Sequence, residues 1–266
     1  MSEDTKRVGF IDEVRGLAIL CMVVYHGALD LIIFNISQNQ LFESLFFSFA
    51  MNTIRDIFAG MFVFISGAAC RLSRSNLKRG LILAMIAAAV TLATFVFDVF
   101  SGGAVGIIRF GILHLLAFSM IFFSVTRRAL DKLKPLSGSI IFGVVALVLY
   151  SATKVLQIDE AKLIPEMPLS QIIAGIFTII FPSSGADSID YFPLIPWIVI
   201  FIAGSYFGIY IKEKRLPDFF YKTRIPFLAW IGRRTIFVYL LHQPVIIGII
   251  QIYLYLSNPS NPNNPV

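Results

Sequence analysis

Seven apolar runs divide this chain, near residues 16–34, 54–72, 81–100, 107–125, 139–157, 192–211 and 227–256. Each is long enough to cross a bilayer as a helix, and no other arrangement of so many such runs keeps them from water. Composition argues the same way. Hydrophobic residues make up 57%, charged residues 14%, and mean hydropathy is +0.81, too few polar side chains to clothe a soluble fold. The expected class is therefore all-α, a polytopic transmembrane helical bundle of about seven spans forming a single membrane domain over residues 1–257. The tail SNPSNPNNPV, 258–266 in the main, is expected to be disordered.

The cations set a topology. Lys6, Arg7 and Arg15 precede span one, Arg71, Arg74, Lys78 and Arg79 follow span two, and Arg127, Arg128, Lys132 and Lys134 follow span four. A further basic stretch, Lys212 to Arg234, separates spans six and seven, while the other gaps are poor in Lys and Arg. By the positive-inside rule the N-terminus is cytoplasmic. Two weaker segments are not counted as spans. Leu41–Met51 is short and carries Glu43, and Leu163–Phe181 is broken by Pro165, Glu166 and Pro168; the first is expected at the outer interface, the second as a re-entrant or surface helix. No cleavable leader is expected, since Glu3, Asp4, Asp12 and Glu13 precede or open the first run.

The net charge of +6 is thus a topology signal, and no nucleic-acid partner is expected; the partner is the lipid bilayer of the cell membrane. Cys21 and Cys70 lie in or at the end of spans, without disulfide or metal spacing. P-loop, Rossmann, zinc-ligand and serine-elbow patterns are missing from the sequence, and no metal is expected. Chemistry, if any, has to come from polar residues inside the membrane.

Those residues are distinctive. Wound at 3.6 residues per turn, Asp12, Arg15, Ile19, Met22, His26 and Asp30 fall along one face of the first helix. Arg15 and His26 are then about 16 Å apart along the axis. All three histidines of the protein, His26, His114 and His242, are in spans, each expected in the middle third. One buried imidazole is readily explained as a packing pin; three at similar depth point to a shared polar cavity. Asp30, one turn beyond His26, is expected to fix its tautomer. Asp56 and Arg109 lie where they would line the outer mouth of such a site, whereas Arg55 and Asp98 suit mutual charge pairing. Pro244 follows His242 and Gln243 and frees the carbonyl of Leu240, a bend that would turn His242 and Gln243 toward a cavity. Gly60 and Gly67 are spaced for close helix contact.

The stretch IDEVRGLAILCMVVYHGALDL, with a histidine eleven residues after the arginine of RG, resembles the first helix of the acyltransferase-3 membrane acyltransferases. MFVFISGAACRLSR, FGILHLL and WIGRRTIFVYLLHQPVI are similar to the prokaryotic relatives of lysosomal heparan-α-glucosaminide N-acetyltransferase and its catalytic domain. The resemblance implies transfer of an acyl group, acetyl in particular, from cytoplasmic acyl-coenzyme A to a glycan or small-amine acceptor at the outer face. It also implies functional roles for Arg15 and His26. The lysosomal enzyme relies on a histidine in its first luminal loop and an asparagine in its first helix; here Asn35–Thr53 has no histidine, and His26 stands at the asparagine position.

With that resemblance, His26, Asp30, His114 and His242 are the expected catalytic groups. His26 would be the general base, and His114 or Gln243 the donor to the oxyanion. Arg15, Arg71, Arg233 and Arg234 are expected to hold the phosphates of acetyl-CoA, and Asp56, Arg109 and Gln243 to meet the acceptor. Two other classes fit the same residues, a proton-coupled small-solute transporter and a non-catalytic membrane subunit of the same fold.

Overall fold

The computed structural model describes residues 8–37, 39–102, 106–156, 176, 178–181 and 190–257. The tail 258–266 and nearly all of the segment 163–181 lie outside them. Among the described residues there are helices and no strands. Seven helices there are long and apolar enough to cross a membrane: α1 (Gly9–Ile33), α3 (Phe49–Leu72), α4 (Asn76–Phe100), α5 (Ile112–Leu130), α6 (Pro135–Leu156), α7 (Leu194–Lys212) and α9 (Thr235–Ser257). Two short helices, α2 (Gln40–Phe46) and α8 (Pro226–Gly232), do not reach that length. The chain is a multi-pass membrane protein.

Two compact units divide it, Met1–Phe62 with Pro217–Val266, and Val63–Leu216. In the first unit the N-terminal half of α1 packs on α8. The fit depends on missing side chains: a β-carbon on Gly16 would overlap the carbonyl oxygen of Leu228, and one on Gly232 that of Asp12. Two glycines thus let two helix backbones touch, as small residues do at membrane helix contacts. Pro226 opens α8 at a position where no amide is needed. The amides just before it, those of Arg224 and Ile225, donate to the buried carboxylate of Glu13, the latter at 2.8 Å. Helix α9 then runs alongside α1.

The segment expected at an interface is divided. Asn39 caps α2 by accepting from the amides of Leu41 and Phe42 at 3.0 and 3.2 Å, and Phe46 from that helix stacks on Tyr25 at 4.9 Å. Phe49–Met51, by contrast, already belongs to α3, so span two begins earlier than hydropathy alone places it. The charge at Glu43 ends the apolar window, but the helix starts beyond it.

The second unit pairs α4 with α5 and α6 with α7, and α5 also meets α7. Gly67 faces the carbonyl of Phe201 and Gly204 that of Phe64, so α3 and α7 touch backbone to backbone. Tyr206 is completely buried; its hydroxyl donates to the Leu130 carbonyl at 2.7 Å.

Candidate functional site

In the first unit, His26 of α1 and His242 of α9 bring their rings to 5.2 Å between centroids. The contact is set by helix register. Gly27, next to His26, leaves room for the Ile246 side chain, one turn past His242, so the two imidazoles meet at one level. His242 is 9% exposed, and its Nδ1 donates to the Tyr239 carbonyl at 2.5 Å. That bond fixes the tautomer and leaves the Nε2 lone pair as an acceptor.

Around this pair, hydrogen-bonding capacity is left over. His26 Nδ1, Asp30 Oδ2 and Gln243 Oε1 are buried without a hydrogen-bond partner. Asp30 is 5% exposed and is paired with the Gln243 side chain. It therefore does not hold His26 through Nδ1, contrary to the expectation that it fixes the ring; the amide from α9 occupies the carboxylate instead. Buried polar atoms without partners are costly in a low-dielectric interior and uncommon in folded proteins. Here three lie together on facing helices.

Arg55 and Asp56 of α3 stand nearby in the same unit. They form an ion pair at 2.8 Å, as expected for Arg55, and Asp56 is its buried member. The Arg55 guanidinium also lies 5.8 Å over the Tyr25 ring. Tyr25 and Tyr239 were not singled out in the sequence. Each lies within one turn of a histidine, which is the signal that could have found them. Arg15 is half-buried and Arg233 exposed; the exposed Arg234 lies over the Trp230 ring at 4.5 Å. All three belong to the first unit.

His114 belongs to the second unit, and its depth differs from the expected one. The apolar run from 107 is not helical until Ile112, because Gly111 is extended, so His114 falls in the first turn of α5 and not in its middle third. Its ring is fully engaged. Nδ1 accepts from the Gly111 amide at 3.2 Å, and Nε2 lies 3.1 Å from the Thr91 hydroxyl, which donates onward to the Ile108 carbonyl at 2.7 Å. Since the backbone amide can only donate, Nε2 carries the proton and gives it to Thr91. With Asp190 accepting from the Ile112 amide at 3.4 Å, His114 caps a helix start. His114, Thr91 and the exposed Arg109 border an open cleft of about 560 Å³ walled by Ala88, Leu92 and Phe95.

Arg71 is no loop cation. Helix α3 continues to Leu72, and Arg71 is 4% exposed in its last turn. Its guanidinium pairs with Asp131, donates from Nε to the Ser205 carbonyl at 3.1 Å and lies 4.9 Å over the Phe123 ring. It ties three helices together and is withdrawn from the surface, away from the phosphate-holding role expected of it. Among the described residues no cluster of three or more His, Cys, Asp or Glu is placed to hold a metal ion.

Neither a curated protein nor a solved structure matches the chain. A family model does, that of heparan-alpha-glucosaminide N-acetyltransferase, catalytic, over residues 7–244. That range takes in α1, with His26, and α9 as far as His242 and Gln243. The chain thus belongs to the heparan-alpha-glucosaminide N-acetyltransferase catalytic family, a family of membrane acetyltransferases.

Proposed function

We propose that this protein moves an acetyl group from cytoplasmic acetyl-CoA to a hydroxyl or amine on an acceptor, a sugar, at the outer face of the cell membrane. The observation that carries the reading is the His26–His242 pair with unspent hydrogen-bonding atoms beside it. It lies within the range matched to an acetyltransferase family.

Acetyl-CoA is the substrate that brings the acyl group as a thioester. Its phosphates are too strongly hydrated to enter hydrocarbon, so they stay with the cations at the N-terminal end of α1, where Arg15 and Arg233 serve. About 16 Å of helix separates Arg15 from His26, a distance suited to an extended pantetheine arm. At the imidazole pair, His26 takes the proton of the acceptor hydroxyl or amine through Nδ1, which has no competing bond. The acceptor heteroatom forms its bond to the thioester carbonyl carbon, and the negative charge collects on the carbonyl oxygen. The Gln243 amide has two N–H groups; one meets Asp30 and the other is available to that oxygen. On collapse the C–S bond breaks, and the proton held on His26 returns to the leaving thiolate. His242, held in one tautomer by Tyr239, keeps an Nε2 acceptor beside the reacting groups. His114 has no part in proton transfer in this reading, since both its nitrogens are engaged.

The test is direct. Purified protein in detergent is given radiolabelled acetyl-CoA, and binding, hydrolysis and transfer to added amino sugars are followed for wild type and His26→Ala. Thioester turnover that depends on His26 supports the reading. A folded wild type that neither binds nor hydrolyses the thioester removes it.

A further inference from the structure

The stretch from Pro217 to Arg234 offers more than Arg233, the one cation of it that acetyl transfer uses. It carries Lys222, Arg224, Arg233 and Arg234 against the single acid Asp218, and it combines that charge with exposed apolar surface. One side of α8 is spent on α1, where Ala229, Ile231 and Gly232 are buried. The other side shows Ile225, Phe227 and Trp230 at 50%, 63% and 49% exposure. Two cations are laid on aromatic rings there: Arg224 lies 4.8 Å over Phe219, and Arg234 lies 4.5 Å over Trp230. A guanidinium held over a ring still has N–H groups for phosphate oxygens; on Arg234 one nitrogen, Nη1, donates to the Trp230 carbonyl at 3.4 Å and the others are left for an anion.

We infer that this stretch binds the phosphate headgroups of anionic phospholipids through Arg224 and Arg234. Phe227, Trp230 and Ile225 rest in the adjoining hydrocarbon. The occupant follows from the pairing of demands. Exposed aromatic and aliphatic side chains need hydrocarbon, and the guanidinium groups one to four residues away need an anion. An acidic protein surface supplies only the second, and so does a free phosphate compound. An anionic phospholipid supplies both at adjoining depths. The site is also built on a fixed base, because Glu13 takes the backbone amides of Arg224 and Ile225 and so holds the stretch to α1. This inference does not depend on the acetyltransferase reading.

The experiment places the full chain in nanodiscs of phosphatidylcholine alone or mixed with phosphatidylglycerol. Native mass spectrometry then counts the retained lipids for wild type, Arg224→Gln, Arg234→Gln and the double variant. Wild type should keep phosphatidylglycerol over phosphatidylcholine. Each lost guanidinium should lower that preference roughly five-fold, the effect of about one surface charge. Arg→Lys at both positions, which keeps charge and loses the planar stack, should fall between wild type and the Gln variants. A melt in phosphatidylcholine alone checks that the variants fold, and the Lys variants remain informative where a Gln variant does not. Equal retention of both lipids by wild type would overturn the inference, as would a preference that survives in the folded double variant. Displacement of phosphatidylglycerol by soluble coenzyme A or inorganic phosphate, at lipid-equivalent concentration, would assign the cations to a soluble phosphate and also overturn it. A wild type that keeps its lipid preference but shows no thioester turnover would count against the acetyl-transfer reading alone.

Discussion

His114 and the pair of His26 with His242 are imidazoles in membrane-spanning helices, yet their surroundings are opposite. At the start of α5 every nitrogen of the ring is spoken for: one accepts from a backbone amide, the other gives its proton to a threonine that passes one on. Between α1 and α9, His26 Nδ1, Asp30 Oδ2 and Gln243 Oε1 are buried with no bond. A saturated imidazole stiffens backbone; one beside unspent polar atoms is ready to bind and to exchange protons. Residue type and hydropathy do not separate these cases. The hydrogen-bond inventory does.

Five substitutions press on that contrast. The largest effect is expected at His26→Ala: thioester turnover should fall about 10²- to 10⁴-fold, the usual worth of a general base, with the thermal midpoint close to wild type. Retained turnover would put the two histidine sites on a par. Next is Arg71→Met in the second unit. The change removes a buried guanidinium that donates to the Ser205 carbonyl and covers the Phe123 ring, while the half-exposed Asp131 keeps Arg127 at 3.6 Å; it should cost about 3 kcal/mol of stability, read by chemical denaturation in detergent. Smaller still, His114→Leu should cost about 1–3 kcal/mol through unmet groups at Gly111 and Thr91. Transfer activity per folded molecule should be kept, and Thr91→Val should act in the same direction with a non-additive double variant. The smallest change is expected from Tyr239→Phe. The acceptor for His242 Nδ1 is the backbone carbonyl, so nitrogen NMR of labelled histidine should show the same tautomer in both proteins.

The spans were legible because twenty apolar residues in a row have few other outcomes, and all seven stand in the structure. Their edges were less so. Ile107 to Phe110 is apolar enough to extend the fourth run, but Gly106 has a positive φ of 73° and Gly111 is extended. The helix therefore waits for Ile112, which carries His114 from the expected middle to the end. Arg71 read as a topology cation because it stands at the end of its apolar run; that its side chain turns inward onto Asp131 and Phe123 is decided by tertiary packing. His26, His242 and Gln243 could be picked out as polar groups in apolar runs. That α1 and α9 would set two of the rings together could not, because a helix face says what it offers and not which helix accepts it. Glu13 shows the same limit: in the sequence it is one of four acids ahead of the first apolar run, and only tertiary structure shows its carboxylate on the amides of Arg224 and Ile225.

The contact between Glu13 and those two amides joins positions more than two hundred residues apart in the chain, and the imidazole pair has nearly the same separation. Helix α1 leaves the ribosome before the second unit and α9 after it. Until translation passes residue 217 the second unit can be whole, while the first lacks α8, α9 and one of its two histidines. Insertion therefore has to store α1 in the bilayer, Arg15 and His26 included, until its partners are made. A message truncated late would leave the second unit whole and His26 without the ring it faces.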